Sequence, residues 1–190
     1  MSDRQFNGAV LDIRTLPTEP DQERSFHLDL VAPDDLGTVV MGVVPGSVIP
    51  VDVRLRSLAD GVLFEASAQM SVRGECVRCL DAIESDEVVE VSEMFFTPQA
   101  IAAMRKEHGD EGVEGLAILE GDEIELEPLL RDAIVTTFPF QPLCEEDCQG
   151  LCDVCGEKWK DLPADHKHEV IDPRFAKLAG FFGEDSGESK

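Results

Sequence analysis

Basic side chains are scarce in this chain, and the shortage is the first constraint on its function. Lys and Arg total 16 against 40 Asp and Glu, a formal net charge of −24 over 190 residues. A surface of that sign repels phosphate backbones, so direct RNA binding is disfavoured as the main activity. Long apolar runs are missing too. No segment reaches the roughly 18 apolar residues of a membrane-spanning helix. The opening MSDRQFNGAVLDIRTLP lacks the basic start and apolar run of a secretion signal. A cytoplasmic protein with no membrane partner is therefore expected, and six cysteines in a reducing compartment are poor material for a disulfide framework. Also absent are a Gly-rich phosphate loop, a nucleophile elbow, a Ser/His/Asp arrangement and a His-Glu-x-x-His pattern. These absences lower the case for an enzyme or a small-molecule substrate. No internal repeat is visible.

Enough apolar residues are present, 43% of the chain, to build a core. Residues 26–32 alternate apolar and polar positions, as a half-buried strand does. A second strand is expected over 38–44, followed by Pro45, Gly46 and Pro50 as breakers. The runs 51–58 and 62–72 both alternate, and Ala59-Asp60-Gly61 between them signals a hairpin. Residues 87–96 alternate again, so 51–96 reads as an antiparallel meander interrupted by Cys76-Val77-Arg78-Cys79. Pro98 opens a short helix. From Glu107 to Glu127 there are nine carboxylates and no Lys or Arg, giving an acidic loop over 107–115 and a strand or short hairpin over 116–126. Leu129, Leu130, Ala133, Ile134 and Phe138 fall at helical spacing on a helix over 127–138 that packs on the sheet. Asp172 and Pro173 open a final helix over 172–182, and 183–190 is a polar tail. His27 is assigned to a strand and His108 to a loop. The fold class expected is α+β, an antiparallel meander packed by a few helices, with a cysteine-rich knuckle region near the C-terminus. The expected divisions are a core domain over 1–142, a Cys/His segment over 143–170, and a helix and tail over 171–190.

The chemistry concentrates in four pairs: Cys76-x-x-Cys79, Cys144-x-x-x-Cys148, Cys152-x-x-Cys155-Gly156 and His166-x-His168. A Cys-x-x-Cys turn sets two thiolates on one side of a tight knuckle, and a glycine after the second cysteine permits the positive φ such a knuckle uses. Eight ligands would make two closed tetrahedral zinc sites, so one or two zinc ions are expected. Cys152, Cys155, His166 and His168 have the spacing of a small zinc module, which leaves Cys76, Cys79, Cys144 and Cys148 for a second ion. This grouping is preferred because its C-terminal site closes with a modest loop. The rival places Cys144, Cys148, Cys152 and Cys155 on one ion and joins Cys76 and Cys79 to the histidines. A thiol redox role is the main competitor, with Arg78 lowering the thiolate pKa values. A catalytic zinc needs only one open position. Trp159 is expected to pack on the second knuckle.

Cys-x-Arg-Cys-Leu (76–80) at the end of a strand meander, combined with C-x3-C-x-G-L-C-x2-C-G (144–156), resembles the bacterial YceD family of large ribosomal RNA subunit accumulation proteins. LDIRTLP (11–17), the acidic middle and DPRFAKL (172–178) look like its actinobacterial branch. Family members commonly carry Cys-x-Cys where this chain has His166-x-His168, which keeps two metal-capable residues. The resemblance implies a cytoplasmic, non-enzymatic factor needed for 23S ribosomal RNA accumulation. Charge adds a mechanism: an acidic, zinc-stapled factor would bind a basic ribosomal protein or the pre-ribosomal large subunit. Glu84, Asp86, Glu87, Glu111, Glu114, Asp122 and Glu123 are the candidate contacts. A local basic patch of Arg73, Arg78, Lys158, Lys160 and Lys167 leaves direct RNA contact open.

Overall fold

The period-two pattern of the central residues builds the core of the fold. Val51, Val53 and Leu55, and across from them Phe64, Ala66 and Ala68, point to one side and are buried, while Asp52, Arg54 and Gln69 face solvent. The computed structural model of the protein describes residues 4–6 and 9–168. Two compact units divide the chain, Met1–Cys148 and Gln149–Lys190.

The first unit is an α+β structure dominated by one sheet. Its strands are β1 (Arg4–Gln5), β2 (Val10–Asp12), β3 (Glu23–Val31), β4 (Met41–Val43), β5 (Val48–Leu58), β6 (Gly61–Glu75) and β7 (Ala82–Phe96), followed by β8 (Ala117–Ile118) and β9 (Glu123–Glu125). The main sheet runs β1-β3-β5-β6-β7-β8, with β4 on the far end of β6; β2 and β9 form a separate pair. The β3, β5, β6 and β7 neighbours are antiparallel, whereas the two short end strands, β1 and β8, join in parallel. Two helices follow β7 in the chain, α1 (Pro98–His108) and α2 (Leu126–Thr137). Thr97 caps α1, its Oγ1 accepting from the Ala100 N–H at 3.2 Å. The apolar stripe of α2, Leu126, Leu130 and Ile134, is fully buried with Phe64, Leu30, Ile49 and Ile124. That helix lies against β7 and β2. No helix among the described residues is long and apolar enough to cross a membrane.

Several local expectations change. The strand expected over 38–44 shrinks to β4, because Gly37 and Gly42 cross in contact: a Cβ on Gly37 would lie 2.4 Å from the Gly42 Cα. Thr38 there closes a turn, its Oγ1 accepting from the Met41 N–H at 3.2 Å. Pro50 does not break β5. Pairing with β6 starts only at Val51, so the strand is an edge at Pro50, the place in a sheet that tolerates a residue without an N–H. Gly61 belongs to β6, where a Cβ would meet the Phe95 carbonyl oxygen at 1.9 Å, leaving Ala59 and Asp60 as the turn. Residues 116–126 form no hairpin, since β8 joins β7 and β9 joins β2. Glu111–Val113 is a 3-10 turn inside the acidic loop. His27 lies on β3, but His108 closes α1 rather than lying in a loop. The helix expected over 172–182 and the tail over 183–190 lie outside the described residues.

Candidate metal centres

The hairpin of β6 and β7 is closed at its far end by the first cysteine pair. Glu75 pairs with Ala82, and residues 76–81 form the connecting knuckle. Within it the Leu80 N–H donates to the Cys76 carbonyl at 2.9 Å and the Cys76 N–H to the Asp81 carbonyl at 2.8 Å. The second unit repeats this pattern without a sheet behind it. There the Gly156 N–H donates to the Cys152 carbonyl at 2.8 Å, the Cys152 N–H to the Glu157 carbonyl at 2.7 Å, and Leu151 bridges to Lys158. The residue after the second cysteine is left-handed in both, Leu80 at φ 61° and Gly156 at φ 74°. Gly156 was legible as a knuckle residue. Leu80 was not, because a leucine carries no signal for that conformation.

In the first unit Val77 donates its N–H to the Pro142 carbonyl at 3.0 Å, which brings the chain after α2 back to the knuckle. Cys144 and Cys148 follow on a short turn. The Sγ atoms of Cys76, Cys79, Cys144 and Cys148 all lie within 4.8 Å of one another. Cys76 and Cys148 stand 3.7 Å apart, and Cys79 and Cys144 3.4 Å. A disulfide would need about 2.05 Å. Zinc–sulfur bonds of about 2.3 Å in a tetrahedron put sulfurs about 3.8 Å apart, so the set has the dimensions of a closed tetrathiolate. Cys76, Cys79 and Cys148 are buried and Cys144 is exposed.

Three of these four thiols are shifted from their ordinary range. Burial pushes the Cys76 thiol up, but the backbone N–H groups of Cys144, Cys79 and Arg78 outweigh it and bring it down to about 6. For Cys79 the Asp81 N–H favours the thiolate, yet burial and the adjacent sulfurs of Cys144, Cys76 and Cys148 prevail and push it up to about 12. Cys144 is likewise raised: a hydrogen bond with Cys79 lowers it, but burial and the sulfurs of Cys148 and Cys76 prevail. Backbone donors therefore favour the thiolate at Cys76, while burial and the neighbouring sulfurs disfavour it at Cys79 and Cys144. The Arg78 guanidinium donates to the Cys148 carbonyl at 2.8 Å and holds the 144–148 turn.

In the second unit Cys152, Cys155, His166 and His168 bring one ligand atom each within 4.8 Å of one another. The Cys155 Sγ and His166 Nε2 are 3.6 Å apart, which is the edge, about 3.6 Å, of a tetrahedron with one zinc–sulfur and one zinc–nitrogen bond. The N–H groups of Cys155 and Val154 lower the Cys152 thiol. The His166 ring meets the His168 ring edge-on at 4.5 Å and the Trp159 ring at 5.5 Å. The preferred grouping is thus the one in which the candidate ligand atoms assemble, and both sets could hold a metal ion.

The candidate acidic contacts are spread more widely. Glu84 and Asp86 are exposed on one face of β7, with Glu87 half-buried on the other. Glu111 opens the 3-10 turn and Glu114 follows it, and Asp122 and Glu123 are exposed at β9. Of the basic residues, Arg73 lies opposite Glu84 in the β6–β7 register.

Residues 64–182, which take in both knuckles, match the family model described as Large ribosomal RNA subunit accumulation protein YceD. The chain belongs to the YceD family. Its relatives extend further toward the N-terminus. An uncharacterized protein of Mycobacterium tuberculosis is 31% identical over 177 residues, 93% of this chain and 83% of its own length. Another, of Mycobacterium leprae, is 30% identical over 180 residues, 95% of this chain and 80% of its own. The uncharacterized protein YlbN of Bacillus subtilis is 25% identical over 140 residues, 70% of this chain and 76% of its own. No solved structure matches significantly. YceD membership implies a role in accumulation of the large ribosomal RNA.

Proposed function

We propose that this YceD protein is a non-enzymatic, zinc-stabilised acidic factor of the cytoplasm that supports 23S ribosomal RNA accumulation. It does so by binding a basic ribosomal protein, or the precursor large subunit through such a protein. Charge is the observation that carries the partner: −24 overall, with Glu84, Asp86, Glu87, Glu111, Glu114, Asp122 and Glu123 as contacts. Such a surface speeds encounter with a basic protein and shields it from unproductive contacts. Zinc is supported by the thiolate-rich donor sets and their tetrahedral edges. In this reading the ions are staples: Cys76, Cys79, Cys144 and Cys148 hold one, and Cys152, Cys155, His166 and His168 the other.

Protein purified without chelator should carry two zinc ions per chain by elemental analysis. Cys148→Ser and Cys152→Ser should each reduce that to one, and the double variant to none. A pull-down at low salt should recover large-subunit proteins, and neutralising the seven carboxylates should abolish the recovery. Retention unaffected by neutralisation would remove the acidic surface from the mechanism.

The lowered Cys76 thiol favours a second reading, thiol redox sensing. Against it, Cys76 is fully buried, and a reactive thiolate must be reached by its oxidant. Metal-free protein with fast-reacting thiols would select the redox reading over the staple.

A further inference from the structure

The acidic strand β7 leaves the sheet with a long open edge. All of Ala82–Phe96 pairs with β6 on one side, but on the other side, among the described residues, β8 covers only Phe95 and Phe96. Among the described residues, no backbone group of 82–94 bonds outside the β6 ladder. An antiparallel strand turns alternate residues' peptide groups to each side, so the open edge presents the N–H and C=O of about six residues. Edges of this kind invite another strand, and proteins commonly blunt them with Pro, Lys or a bulge. Neither Pro nor Lys occurs in β7.

Carboxylates occur there instead. Glu84, Asp86 and Glu90 line the exposed face, and Glu87 and Glu93 the other. No Lys, Arg or His occurs from Cys79 to Met104. Like charges facing each other across a new ladder are unfavourable, so a second copy of β7 is rejected, while a strand bearing Lys and Arg is favoured. Val88, 57% exposed between Asp86 and Glu90, adds an apolar contact at the centre of that face. The edge strand at the other side of the sheet is not equivalent. There β3 carries Glu23, Arg24, His27 and Asp29, a mixture that prefers neither sign.

We propose that β7 receives a basic, extended segment of a protein partner as an added strand. Backbone bonds to the open edge would supply affinity, and Lys or Arg beside Glu84, Asp86 and Glu90 would supply selectivity. The inference rests on the basic-partner reading above and names the mode of recognition. RNA, which offers phosphates and no peptide ladder, does not fit this edge.

The test compares three probes on the full-length protein as purified. They are an alternating Lys–Val octapeptide, the same peptide N-methylated on alternate residues, and a single-stranded oligouridine. The first should bind and slow hydrogen exchange at about half the amides of 82–94. N-methylation preserves charge but removes ladder donors, and should weaken binding roughly tenfold or more. RNA should leave 82–94 unprotected. Equal binding of both peptides, no protection at 82–94 with the first, or protection there by RNA would each overturn the proposal. Glu84→Gln, Asp86→Asn, Glu90→Gln and Glu93→Gln together should weaken peptide binding roughly tenfold while β5 and β6 amides keep their protection. Large-subunit proteins retained equally by this variant would sink the edge but leave the acidic factor standing. A peptide added at the edge by protein that retains no ribosomal protein would do the reverse.

Discussion

Leu80 and Gly156 occupy the same place in two knuckles with matching hydrogen bonds, but only one is the residue type that the conformation favours. A leucine held at φ 61° sits in a region that costs an L-residue roughly 1–2 kcal/mol. Its side chain is 62% exposed, so little packing is lost with it. Leu80→Gly should therefore leave stability unchanged or raise it by up to about 1 kcal/mol, after the glycine's own entropy cost. Gly156→Ala, where nothing crowds a Cβ, should lose about 1 kcal/mol from φ strain alone. Urea denaturation of the metal-loaded protein measures both. His27 offers a pH test away from the candidate metal sites. A hydrogen bond between its Nδ1 and Asp52 Oδ1 at 2.8 Å raises its pKa, and the charges of Asp52 and Asp29 add to the effect. Because the folded value is raised, the stabilisation is fully present below the unfolded value near 6.5 and is lost as pH rises through the folded value. In an NMR titration the His27 midpoint should lie above 6.5, and Asp52→Asn should bring it down. At this scale the sequence displayed the candidate ligands through their pairing, but hid Leu80 and the Arg78 bond to Cys148, which only the folded backbone defines.

Among the elements, β5, β6 and α2 were legible because burial imposes a period on them. Val51, Val53 and Leu55 alternate, and Leu126, Leu130 and Ile134 recur at helical spacing. Leu130 is wholly buried between α2 and the core, so Leu130→Ala should destabilise the protein by about 2–5 kcal/mol, seen as a lower urea midpoint at unchanged slope. The short strands were opaque for the opposite reason. Two or three residues carry no measurable period, and their partners are chosen at a distance: Val10 meets Glu125, and Phe95 meets Ala117. Neighbouring apolar runs at 116–126 suggested a local hairpin, but each found a better partner elsewhere in the first unit. Pro50 misled for a related reason, since whether a proline interrupts a strand depends on which side is paired.

On the scale of the whole molecule, the two sets of ligands differ in protection. Cys76, Cys79 and Cys148 are buried beneath the end of the sheet, whereas Cys155 and His168 are exposed. A chelator titration monitored by released zinc should thus empty the Cys152–His168 site first and the four-cysteine site later. Simultaneous release would show that protection does not separate them. The hairpin knuckle has a further consequence for the unfolded chain. Cys79 and Cys144 are 65 positions apart, so an ion shared by them would tie off a loop through β7, α1 and α2. Chain-entropy reasoning for a cross-link of that span gives about 4 kcal/mol, withdrawn as soon as the ion departs. Unlike a disulfide, such a tie needs no oxidant and can be undone by scarcity. The half-life of the protein against proteolysis would then follow the supply of metal.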